Sequence, residues 1–157
     1  MRKSSEKTHI KGVVFFDIPR HSDERGWLVE LFRSDRLEKQ NDPVMGYVSQ
    51  TLPGVVRGPH EHEGQSDLFC FMGPGDFELV LWEKRDSGDP YKEVHLVGET
   101  RPLAVVVPPG VVHAYKNVSE NPGLVLNFPN RLYGGPGGCW PVDEIRHEAD
   151  SSSPYIV

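Results

Sequence analysis

With 157 residues the chain is sized for a single domain, residues 1–157, in which 1–10 and 150–157 read as tails. A formal charge of −6 and a pI near 5.6 exclude diffuse electrostatic binding of nucleic acid, yet leave room for a local cationic pocket around one phosphate group. No stretch approaches the ~20 apolar residues of a membrane span, and the opening MRKSSEKTH has no apolar leader, so the expectation is a soluble cytoplasmic protein with no membrane partner.

In chain order, short apolar or alternating runs recur between turn signals. GVVFFDI starts at Gly12, WLVELF at Trp27, GYVSQTL at Gly46, DLFCFM at Asp67 and DFELVLW at Asp76; YKEVHLV, PLAVVVP, VVHAYKNV and GLVLNFP follow. Pro74-Gly75, Pro109-Gly110 and Pro122-Gly123 punctuate them, as turns do. Many short strands at near-regular spacing imply an all-β sandwich or barrel. A short helical segment is expected near residues 34–40, in RSDRLEKQ, with Ser34 as N-cap and an end before Asp42-Pro43. In DFELVLW, Phe77, Leu79 and Leu81 form an apolar face opposite Glu78, Val80 and Trp82. Cys70, inside LFCFM, reads as a buried structural thiol, and with Cys139 it makes no disulfide framework. GGPGG at Gly134 reads as a loop.

The chemistry concentrates in RGPHEHEGQSD, from Arg57 to Asp67. If His60 to His62 is extended, successive side chains alternate and both imidazoles face one way. PPGVVHAYKN supplies His113 on a second strand, which a small barrel can set opposite them. Three imidazoles with Asp67, or with Gln65 in its place, suit a divalent metal such as Zn, Mn or Fe, and equally suit acid/base or ligand-binding work without a metal. No cofactor is favoured. His9, His21, His95 and His147 stand among polar or loop residues and read as surface histidines.

The spacing resembles the two cupin motifs. Gly54, His60 and His62 match the opening of the first, and Pro108, Gly110, His113 and Asn117 the end of the second, with Asp67 where the acid would be. The resemblance implies a double-stranded β-helix, the cupin jelly roll. Within the cupins, DERGWLVELF, VVRGPH and PPGVVHAY are similar to the dTDP-4-dehydrorhamnose 3,5-epimerases and, through R-G-x-H-x-H, to the dTDP-sugar 3,4-ketoisomerases. That resemblance implies a small-molecule partner, a nucleotide sugar, with Arg25 and Glu30 on its nucleotide end and Arg57 holding the substrate. It makes His60 the base beside the C4 ketone, His113 the support of the enolate and His62 a second acid/base group. Gln65 and Asn127 complete the candidate substrate contacts.

The chain departs from the epimerase pattern at two places. Asp67 stands where those enzymes carry an enolate-stabilising lysine, and Asn127 is the counterpart of their acid tyrosine, with Tyr133 six residues later. Tyr47 and Tyr115 are alternative acids or packing rings. Asp143, Glu144 and Asp150 are candidates for the acid that supports the base. Double epimerisation is thereby put in doubt, and three outcomes stay open: epimerase or ketoisomerase, metal cupin, or a non-catalytic sugar-nucleotide binder. GVVFFDI reads as an exposed edge whose burial would make a homodimer.

Overall fold

Period-two alternation in the apolar runs is satisfied by pleated strands, and a computed structural model describing residues 1–157 places them in two facing antiparallel sheets. The strands are β1 (Arg2–Lys3), β2 (Val14–Asp17), β3 (Arg20–Asp23), β4 (Gly26–Val29), β5 (Tyr47–Thr51), β6 (Val56–Glu61), β7 (Asp67–Phe71), β8 (Asp76–Glu83), β9 (Tyr91–Gly98), β10 (Leu103–Val107), β11 (Val112–Asn117), β12 (Gly123–Asn127) and β13 (Ile145–Arg146). One sheet runs β1-β2-β10-β7-β12-β5 and the other β13-β6-β11-β8-β9, while β3 and β4 form a separate hairpin. This is the all-β jelly roll that the motifs implied. No helix is long and apolar enough to cross a membrane.

The inner faces supply the core. Phe69 and Phe71 of β7, Phe77, Leu79 and Leu81 of β8, Val105 of β10 and Tyr115 of β11 interdigitate in one buried cluster. The outer faces are covered as well, which is why β7 and β10 are buried at every position. Leu68, Cys70, Ala104 and Val106 lie under Leu31, Phe32 and Leu37, and Val80 and Trp82 lie under Tyr155 and Val157. Both segments read as tails are thus packed: Arg2 and Lys3 pair with β2, Ile10 is buried in the core, and Tyr155 meets Trp82 edge-on.

Three expectations change. The helix at Ser34 reduces to a turn over residues 34–36 and one 3-10 turn at Lys39–Asn41, because Leu31, Phe32 and Leu37 are drawn onto the outer face of the first sheet and Arg33 pairs with Asp35. GVVFFDI is no edge, since β2 is paired on both sides by β1 and β10. His95 is buried on β9 against Phe15, between the carboxylates of Glu6 and Glu93, and His147 is half-buried on Glu61.

Candidate active site

β6 and β11 meet at the site, with His60 and His113 as cross-strand partners. Close approach of the two strands needs Gly58: it sits at φ 85°, and a Cβ there would lie 2.6 Å from the His113 carbonyl oxygen. Alternation sends His60 and His62 to one side, their ring centroids 5.6 Å apart, and Glu61 to the other, where it is buried against Lys84 and His147. β7 contributes Asp67 from its first residue. One donor atom each from His60, His62, Asp67 and His113 fall within 4.8 Å of one another.

Every member of this group is oriented by a neighbour except His60. The Nδ1–H of His62 donates to the main-chain carbonyl of Asp143, and its Nε2 stands 3.0 Å from Asp67 Oδ2. The Nδ1–H of His113 donates to the Val111 carbonyl at 3.0 Å, and its Nε2 is 3.5 Å from the same Oδ2. The other carboxylate oxygen, Oδ1, accepts from Gln65 Nε2 at 3.0 Å and from Asn127 Nδ2 at 2.8 Å. Asn127 also donates to the Tyr47 hydroxyl at 2.9 Å, and Tyr115 shares a hydrogen bond with Ser49.

These contacts set the charges. Burial, together with the charges of His113 and His62, pushes the His60 imidazole down to about 2, so it stays unprotonated. Burial acts against the charged form of His62, but the hydrogen bond and charge of Asp67 outweigh it and hold His62 above its ordinary value. Asp67 is buried too, yet His113 and His62 keep its carboxyl well below the usual carboxylate range. Burial pushes the Tyr47 phenol up to about 12, so it keeps its proton.

A cavity of about 1060 Å³ opens over this group. His60, His62, Gln65, Tyr47, Tyr115 and Arg57 line its floor and near wall. Arg57 is anchored by its Nε–H on Thr51 Oγ1 and by Nη2 on the Gln50 carbonyl. The far wall comes from residues 129–148, including the exposed rings of Tyr133 and Trp140, held in place where β13 pairs with β6. Sequence reasoning offered Tyr133, Asp143 and Glu144 of this wall as candidates and missed Trp140, for which an aromatic ring after a glycine run was the available signal.

Other expected residues lie elsewhere. Arg25 is on the exposed β3–β4 turn, paired with Asp23 and not with Glu30, and neither Arg25 nor Glu30 lines the cavity. Glu30 pairs with the terminal ammonium of Met1. Of the three candidate supporting acids, Asp143 reaches His62 through its carbonyl while its carboxylate accepts the N–H groups of Glu63 and Gly64. Glu144 pairs with Arg146, and Asp150 closes a surface turn on Ser152. The acid in contact with the imidazoles is Asp67.

Residues 7–133 match the profile of the family described as dTDP-4-dehydrorhamnose 3,5-epimerase. The chain is 36% identical over 128 residues to "Probable low-salt glycan biosynthesis epimerase Agl13" of Haloferax volcanii, covering 80% of this chain and 81% of the relative. It is 32% identical over 126 residues to the spore coat polysaccharide biosynthesis protein SpsL of Bacillus subtilis, covering 79% and 82%. Among solved structures, NovW, a 4-keto-6-deoxy sugar epimerase from Streptomyces spheroides, superposes with a TM-score of 0.73 at 20% identity, over 99% of this chain and 81% of that one. With its fold, motifs and profile in agreement over most of its length, the chain belongs to the dTDP-4-dehydrorhamnose 3,5-epimerase family.

Proposed function

We propose that this protein moves a proton at the carbon beside the ketone of a nucleotide-linked 4-keto-6-deoxy sugar, as an epimerase or isomerase. The observation that carries the reading is the placement of His60 at the floor of a sugar-nucleotide-sized cavity, beside a buried group of two imidazoles and a carboxylate. A proton next to a ketone leaves only if the enolate is stabilised as it forms. His60 takes the proton, and His62, whose Nε2 stands 3.0 Å from Asp67 Oδ2, lies beside it as the second acid/base group. Tyr47, which keeps its proton, and Gln65 lie on the same cavity wall, and Arg57 offers a forked donor for a phosphate.

Asp67 and Asn127 favour reaction at one carbon, C3, over two. Asn127 spends its amide on Asp67 and Tyr47 and cannot act as an acid. The test is incubation with dTDP-4-keto-6-deoxyglucose in deuterated water, followed by NMR at C3 and C5. Label at C3 is expected; tight binding with no label at either carbon would make the chain a non-catalytic binder.

The reading includes a homodimer. Arg25 and Glu30 lie outside the cavity of their own chain, and a second copy would bring them to a bound nucleotide. The β3–β4 hairpin that carries Arg25 also exposes Trp27 and Leu28, an apolar surface suited to a partner. A cytoplasmic location fits two unpaired cysteines, Cys70 and Cys139.

A further inference from the structure

A second cavity, of about 730 Å³, lies on the outer face of the first sheet, between β1, β2 and β10 on one side and residues 36–41 on the other. Four cations from three distant segments border it: Arg2 and Lys3 of β1, Arg36 from the turn before Leu37, and Arg131. Glu38 is the one acid in its lining, and its carboxylate is taken by Gln40 Nε2 at 2.9 Å. In a chain with 23 acidic residues against 17 Lys and Arg, this is a local reversal of charge. The cations are also poorly neutralised. Arg2 shares Asp17 at 3.1 Å and Arg131 stands 3.8 Å from Asp143, while Lys3 and Arg36 form no ion pair. Asn130 braces the cavity: its Nδ2 donates to the Gln40 carbonyl at 2.7 Å, and its Oδ1 accepts from the Ser66 N–H at 2.8 Å. Gly64 lets the Arg131 guanidinium lie against the main chain, since a Cβ there would come within 2.5 Å of it. Val14, Phe16 and Val106 supply the apolar part of the lining.

We propose that this cavity is a second ligand site, for a phosphorylated organic anion of nucleotide size. Cations that converge with so few counter-charges repel one another, and a bound anion relieves that repulsion while their N–H groups gain charge-assisted hydrogen bonds. The forked guanidinium groups of Arg36 and Arg131 match phosphate oxygens, and Lys3 adds a point charge. The volume falls in the range of small-molecule sites, and inorganic phosphate alone would leave the apolar lining unused. A phosphate group joined to a flat or apolar body engages both. The site goes beyond the catalysis proposed above and does not depend on it, because Arg2, Lys3 and Arg36 have no place in the lining of the active-site cavity. Asn130 and Arg131 border both cavities, so the two share a wall.

Calorimetry of the full-length protein with dTDP is expected to resolve two classes of site per chain. Arg36→Ala and Lys3→Ala change exposed side chains. Each is expected to weaken one class by at least ~10-fold, as loss of a charge-assisted contact does, and to leave the other class unchanged. Arg57→Ala is expected to do the reverse. Inorganic pyrophosphate should reach the Arg36-dependent class more weakly than dTDP, and thymidine should not reach it. Absence of any class that responds to Arg36→Ala and Lys3→Ala would overturn the proposal. Pyrophosphate binding as tightly as dTDP would overturn the organic part of the assignment and reduce the cavity to a site for a plain anion. Deuterium exchange into the sugar is scored separately. One class of site, lost in Arg57→Ala alone, would strike this second site and leave the proposed catalysis standing, whereas an Arg36-dependent class in a protein that exchanges no label would do the opposite.

Discussion

Asp67 shows how one residue redirects a pocket. The charge there is negative and buried, held on one oxygen by Gln65 and Asn127 and faced on the other by His62 and His113, so the imidazoles around it are committed to balancing it. The neighbouring glycine is as constraining. Gly58→Ala would push a methyl group into the His113 carbonyl at a backbone angle that L side chains rarely adopt. It should cost about 1–3 kcal/mol in urea unfolding and separate His60 from His113, lowering activity as well; unchanged stability would contradict the close approach of β6 and β11. His60, His62, Asp67 and His113 were legible in the sequence because alternation along extended backbone is a strict geometric rule. The role of Asp143 was not, since its carbonyl does the orienting and a main-chain group carries no residue signature.

At the level of elements, the strands were readable wherever one face was apolar, as in β8. β7 was readable for a different reason: a continuous apolar run bounded by turns fits a strand covered on both faces. The segment after Ser34 was misread because its apolar residues serve the sheet beneath them, and tertiary packing overrides a modest helical preference. The N-terminal segment was undervalued in the same way. Glu6 binds His95 and Arg101, and although burial opposes it, these contacts lower its pKa from 4.5. A depressed folded value stabilises the native state above pH 4.5, and that contribution is lost as pH falls through the folded value. Glu6→Gln should therefore melt at a lower temperature than the parent protein near neutral pH and converge with it at strongly acidic pH; a difference independent of pH would show that the contact is not ionic.

For the whole molecule, the fold closes a cavity on one side with strands and on the other with residues 129–148, yet leaves Arg25 and Glu30 outside. The dimer proposed above would bring those two residues to a partner's cavity. Light scattering at micromolar concentration should report twice the chain mass of 17.7 kDa, and Trp27→Glu should shift it toward one chain and weaken nucleotide binding together. A monomer that binds a nucleotide sugar tightly would contradict this assembly. Motif order made the barrel legible from sequence, while the cavity's far wall was not, because residues 129–148 are irregular backbone positioned by one short pairing of β13 with β6.

Solvent deuterium incorporation tests the central claim most directly. With dTDP-4-keto-6-deoxyglucose in deuterated water, the unaltered protein should place label at C3, and His60→Ala should slow that exchange by at least ~100-fold, the usual contribution of a positioned base. Absence of label at both C3 and C5, or undiminished exchange in His60→Ala, would contradict the account.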